Sequence, residues 1–264
     1  MPREVRVDMD RRNYLQAIGG TVATLSVAGC QSGSSDTQTL TAGTAPGFPP
    51  FEMKQDGELV GFDVDLLEAV IAESEYELSG WEELEFKSLI PALNNGNIDV
   101  VAAGMTINAE RKEAIDFSDP YYSSNQAIVV REDGSFSPSA LSDLSGTAVG
   151  AQKGTTGEST IQDELVEPGA LSESNYNAYG NYVLAVEDLL NKNIDAVVID
   201  VPVANSFVSE RPIESAFVYE TGERFGFGVQ SGSDDLVSGL NSGLSTVREN
   251  DTYKELAQKW FGQK

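Results

Sequence analysis

"NGNIDVVAAG" (residues 95–104) and "NKNIDAVVID" (residues 191–200) are two versions of one pattern. Each opens on a polar cluster that ends a helix, passes through Asn-Ile-Asp and continues as a run of small and β-branched apolar residues. Such near-continuous apolar runs are expected where helices cover both faces of a parallel sheet. The runs stop differently, the first at Gly104 and the second at Asp200. A chain that builds one αβ unit twice is predicted to have two halves of similar make.

The flanking sequence extends each unit. Ahead of the first, "LTAGTA" is predicted as a strand broken at "PGFPPF". "GELVGFDVDLLEAVIAES" gives a strand end and a helix, and "LEFKSLIPALNNGN" a strand and a short helix with Pro91 in its first turns and Gly96 past its end. In the second unit "TAVGAQKG" is a strand, while "TTGESTIQDELV" and "VLAVEDLLNKN" are helices. "RFGFGVQ" reads as one more strand, and two amphipathic helices close the chain, with Trp260 and Phe261 expected to pack on the first half. "EELE" and "ENDTYKE" read as solvated helix charge. "GTTGES" lacks the lysine-hydroxyl ending of a phosphate loop.

Open α/β sheets bind ligands at the carboxyl ends of their strands. Gly104 and Asp200 sit at those ends, so two lobes are expected to face one cleft and share a ligand. "SDPYYSS" and "GERFG" are the expected crossings of a two-strand hinge. They divide the chain into lobe one, residues 39–121 and 226–264, and lobe two, residues 122–225 with the hinge segments.

The 264 residues carry 17 Lys and Arg against 42 Asp and Glu, a net charge of −25 with no histidine. A phosphate-tracking protein needs a basic stripe, so nucleic acid is excluded as a partner. Self-repulsion of this size weakens the fold in dilute buffer and is screened in molar salt, which points to a salt-loving source.

Residues 1–30 read as an address. Arg11-Arg12 precede a weakly apolar stretch from Tyr14 to Ala28, too short and too rich in Gly and Thr for a permanent membrane span. The segment resembles a twin-arginine export signal ending in a lipobox, which implies a lipid on Cys30 and a location outside the cell, anchored to the outer face of its membrane. Residues 31–38 read as a flexible tether. Cys30 is the only cysteine, so neither an intramolecular disulfide nor a multi-cysteine metal site can form. No metal or cofactor is expected.

"GTAPGFPPFEM", "GELVGFDVDLLEAV", "FKSLIPALNNGNIDVVAAGMTINAERKEAIDFSDPYY", "GTTGES", "NIDAVVID" and "RENDTYKELAQKWFG" occur in that order. Together they resemble the family 3 extracellular solute-binding proteins, the polar amino-acid receptors of ABC importers, here of a haloarchaeal lipoprotein type. The resemblance implies an α/β, two-lobed periplasmic-binding-protein type II fold, with mostly parallel sheets flanked by helices. It implies an amino-acid ligand and an ABC permease with its ATPase as partners. An α-amino acid is a zwitterion, and a receptor must satisfy both charges, because an unpaired buried charge costs several kcal/mol. Arg111 matches the family arginine, able to grip a carboxylate bidentately in a solvent-open cleft. Asp200 matches the acceptor of the ammonium, its alternative being the cap of the following helix. Thr106 and the Gly104 carbonyl flank the ligand, and backbone N–H groups near Thr155 and Thr156 add donors. Phe48 and Phe86 match aromatics that sandwich its side chain.

Two departures bear on ligand choice. Ala45 stands where many relatives have an acid, and Gln152 where a glutamine-binding relative has lysine. Both favour a neutral polar or moderately apolar amino acid. Two alternatives use the same scaffold: a cyclohexadienyl-dehydratase-like enzyme and a ligand-sensing domain. Without histidine an enzyme would need Asp or Glu for acid–base work, and Asp200 is already committed, so the chain is read as a binding protein and not an enzyme. Absence of histidine also predicts binding that varies little between about pH 5.5 and 8.

Overall fold

The computed structural model describes residues 38–262. The export signal, Arg11, Arg12, Cys30 and the tether up to residue 37 lie outside the described residues.

In chain order the elements are β1 (Gln38–Thr44), β2 (Met53–Gln55), β3 (Glu58–Val60), α1 (Phe62–Ala72), β4 (Tyr76–Glu83), α2 (Leu89–Asn94), β5 (Val100–Val101), α3 (Ala109–Lys112), β6 (Ile115–Phe117) and β7 (Tyr122–Arg131). They continue with β8 (Val149–Gln152), α4 (Thr156–Ile161), β9 (Tyr176–Tyr179), α5 (Tyr182–Leu190), β10 (Ala196–Asp200), α6 (Val201–Val208), β11 (Ile213–Phe225), β12 (Gly228–Gln230), α7 (Asp234–Glu249) and α8 (Thr252–Phe261).

Two five-stranded sheets have orders β4-β1-β5-β12-β6 and β9-β8-β10-β7-β11. The two echo strands, β5 and β10, each stand third. Each pairs parallel with one neighbour, β1 or β8, and antiparallel with the other, β12 or β7. Four strands of each sheet therefore run one way and one runs against them. The repeated Asp has one job in both copies: Asp99 Oδ2 accepts the N–H of Thr41 at 2.7 Å, and Asp195 Oδ2 accepts that of Ala148 at 3.0 Å. Each carboxylate clips the start of its strand to the parallel neighbour.

The apolar runs bury both faces. Val100 faces one core and Val101 another, and in β10 Val197 and Ile199 alternate with Ala196 and Val198. Helices α7 and α8 fold back onto α1 of the first lobe. Gly243 permits that approach, since a Cβ there would stand 2.4 Å from the Val70 carbonyl oxygen. Trp260 Nε1 donates to Asp65 at 2.7 Å, and the Phe261 ring lies 4.9 Å from that of Phe62.

The chain crosses between sheets twice, at residues 118–121 and 226–227. The crossings are bonded to each other: Ser118 N donates to Phe227 O at 2.9 Å, and Tyr121 N to Phe225 O at 2.8 Å. This is the two-strand hinge.

Several elements differ from the sequence-based expectation. Gln38, expected to end the tether, is already paired with Tyr76 in β1. The strand before α2 is β4 and not "LEF"; Phe86–Ser88 is a 3-10 turn. Glu82 and Glu83 are accordingly exposed residues of an edge strand rather than of a helix. "RFGFGVQ" is divided, its first half ending β11 and its second forming β12, and residues 162–166 turn α4 into a π-helical coil.

Candidate functional site

The ends of β5 and β10 meet at one small cavity.

On the first lobe the chain leaves β5 and turns at Gly104, whose φ is +54°. Its N–H donates to Asp63 Oδ2 at 2.7 Å. A Cβ there would stand 2.5 Å from Phe48 Cε1, so only glycine lets the strand end press against that ring. Asn108 then caps α3 by accepting the Arg111 N–H at 2.8 Å, which fixes where the arginine leaves the backbone. The Arg111 guanidinium is buried, not open to solvent as expected, with 8% of its surface exposed. Nη1 donates to Thr106 O at 2.8 Å and Nη2 to Gly154 O at 2.9 Å, the latter bond crossing to the second lobe. Its carbon lies 5.2 Å from the Phe86 ring centroid. Burial pulls its pKa down, and Glu223 and Asp200 support its charge.

On the second lobe Thr155 caps α4, and its hydroxyl donates to Gln152 O at 2.7 Å. The Thr156 hydroxyl meets that of Thr106 at 3.1 Å, a second link across the cleft. Gln152 Nε2 is held by Gly180 O at 3.1 Å. Asp200 ends β10 at the cap position of α6, yet its side chain makes no capping bond. One of its oxygens, Oδ1, is buried without a hydrogen-bond partner among the described residues. Burial first and Glu223 second raise its pKa well above the usual carboxylate range, with Gln126, Ser124 and Arg111 pulling the other way.

All nine residues singled out for the ligand line this cavity: Phe48, Phe86, Gly104, Thr106, Arg111, Gln152, Thr155, Thr156 and Asp200. The two aromatics differ in company. Phe48 packs on Phe51 and Tyr182, with centroids 5.6 and 5.8 Å away, while Phe86 faces the guanidinium.

Three buried acids escaped the sequence. Glu52 lines the cavity with 1% of its surface exposed. Glu223 accepts from Thr106 Oγ1 at 2.7 Å and Gln126 Nε2 at 2.7 Å. Asp63 accepts from Gly104 N and the Tyr121 hydroxyl. Glu52 carried a signal, an acid inside the apolar run "FPPFEM"; Glu223 and Asp63 read like any surface acid.

Residues 40–263 match the family model described as bacterial extracellular solute-binding proteins, family 3. A probable histidine-binding protein of Campylobacter jejuni is 34% identical over 230 residues, 86% of each chain. The ABC transporter arginine-binding protein 1 of Escherichia coli is 30% identical over 240 residues, 88% of this chain and 94% of its own. Among solved structures, an ancestral arginine-binding protein is similar in two complexes. Bound to glutamine it has a TM-score of 0.78 at 37% identity, and bound to arginine 0.79 at 36%. Each alignment covers 85% of this chain and 98% of that one.

Proposed function

Because the chain belongs to the bacterial extracellular solute-binding proteins of family 3, we propose that it captures a free amino acid between its lobes and delivers it to the permease and ATPase of an ABC importer. It works as a binding protein, not as an enzyme. The lobes that close are residues 39–121 with 226–264 and residues 122–225.

One observation carries this reading: a buried arginine from the first lobe and a buried, partly unpartnered carboxylate from the second line the same cavity. A zwitterion satisfies both. Its carboxylate takes the remaining N–H donors of Arg111, with Thr106 and the backbone near Thr155 and Thr156 assisting. Its ammonium takes Asp200 and the Gly104 carbonyl. Phe48, Phe86 and Gln152 wall the side chain. Since the two charged grips stand on different lobes, the site is complete only on closure, which couples capture to the shape a permease reads.

The twin-arginine segment and Cys30 fit export and lipid anchoring on the outer face of the membrane. The acidic surface suits a medium of high salt.

A thermal-shift screen of the twenty protein amino acids in high salt tests the proposal, followed by calorimetry and a turnover assay on each hit. The expected result is saturable one-to-one binding of at least one amino acid, recovered unchanged. No stabilisation by any amino acid, or conversion of the hit to a product, contradicts it.

A further inference from the structure

We propose that Glu223 competes with the ligand's carboxylate for the hydroxyl of Thr106 and so keeps the affinity at a level from which the amino acid can be released. This rests on the amino-acid reading above and adds a residue that weakens binding to those that make it.

Glu223 lies near the end of β11 with 5% of its surface exposed. Its Oε1 accepts from Gln126 Nε2 at 2.7 Å and from Thr221 Oγ1 at 2.8 Å, and its Oε2 accepts from Thr106 Oγ1 at 2.7 Å. Three donors converge on it, which suits an ionised carboxylate, a group that only accepts. The backbone fixes its place. Ile107 N donates to Arg224 O at 2.8 Å and Gly226 N to Met105 O at 3.1 Å, which ties the end of β11 to the segment that carries Thr106.

A hydroxyl has one hydrogen to give. With that of Thr106 on Glu223, the 3.1 Å contact between the Thr106 and Thr156 hydroxyls is donated by Thr156. The order Thr156 to Thr106 to Glu223 leaves neither threonine a hydrogen for a ligand. An incoming carboxylate gains the Thr106 hydrogen only by taking it from Glu223, which exchanges one carboxylate acceptor for another at little net gain. Thr106 also joins Glu223 to the arginine, because its carbonyl accepts from Arg111 Nη1 at 2.8 Å. Burial lowers the Arg111 pKa, and Glu223 opposes this ahead of Asp200. The arginine therefore has a counter-charge before a ligand arrives, and the ligand's carboxylate enters beside a like charge.

Glu223→Gln removes the competition. The amide oxygen can keep the bonds from Gln126 and Thr221 while the amide nitrogen donates to Thr106, which frees the threonine's hydrogen for the cavity. Each of the twenty protein amino acids is titrated by calorimetry into the full chain, E223Q, Thr106→Val and the double variant, all checked by circular dichroism. Every amino acid that the native chain binds is expected to bind E223Q about fivefold to thirtyfold more tightly. In T106V affinity stays within about threefold of native, and adding E223Q to T106V gives a gain of less than about threefold. Unchanged or weaker binding in E223Q, the result of a purely structural role, overturns the proposal and leaves the amino-acid reading standing. So does an equal gain with and without the Thr106 hydroxyl. If E223Q fails to fold, T106V alone decides, and a loss beyond about threefold overturns the proposal. Binding of no amino acid by the native chain removes both.

Discussion

Asp63 shows what burial does to the acids of this site. It is fully buried, and desolvation pushes its pKa up to about 7 against the hydrogen bonds from Gly104 and Tyr121 that favour its charge. A carboxyl whose pKa is higher in the folded than in the unfolded chain is stabilising only while protonated. Its contribution is therefore intact below about pH 4 and declines as the pH rises towards 7, by up to about 4 kcal/mol. Asp63→Asn keeps an acceptor for both donors and removes the ionisation. Urea unfolding at stepped pH is expected to show the variant's advantage over the native chain growing from pH 4 to 7 and levelling above; a constant difference contradicts this. The same physics changes the expectation of flat pH dependence. The chain lacks histidine, but burial raises Asp63 to about 7, so a buried carboxyl titrates where a histidine would. That Arg111 and Asp200 line one cavity was legible because each lies in one of a series of motifs in a fixed order. Glu223 was not, since an acid beside "RFG" reads the same whether solvated or folded against Thr106 and Gln126.

At the scale of elements, the repeated unit was readable because its signal is local: an apolar run, a preceding helix end and a carboxylate that clips the strand to its neighbour. What lay between the repeats was harder. β4 is an edge strand whose outer positions are acidic, and a bulge at Leu40/Thr41 breaks its register, so neither alternation nor an apolar run marks it. β11 runs for 13 residues with two breaks of register against β7, which hides its period of two. The shortness of β5 has a similar cause. Its hydrogen bonding continues through Ala102 N to Gly43 O at 3.0 Å, but the backbone must turn at Gly104 to present the site. Caps do the fine positioning. Asn108 sets α3 under Arg111 and Thr155 sets α4 under Thr156, and both are residue types that favour the cap in any sequence.

At the scale of the whole molecule, charge and closure govern behaviour. Against the 38 acids of residues 38–262, the described residues form six ion pairs within 4.0 Å, and most of those are exposed. The net charge of −25 is thus largely uncompensated, and salt should relieve it, since the screening length falls to about 3 Å at 1 M. The melting temperature is expected to rise between 0.1 and 3 M KCl or NaCl, and a flat or falling trend contradicts a surface suited to salt. Closure concentrates the function. Arg111 reaches Gly154 and Thr106 meets Thr156 across the cleft, so Arg111, Thr106 and Thr156, proposed to hold the ligand, are also contacts between the lobes. The central claim is that one amino acid is held at its two poles by opposite lobes. Calorimetric titration of the identified ligand into Arg111→Ala and Asp200→Asn, each checked for native circular dichroism, tests it most directly. The account predicts a loss of at least about a hundredfold in the first and tenfold in the second. Affinity unchanged in either folded variant contradicts it.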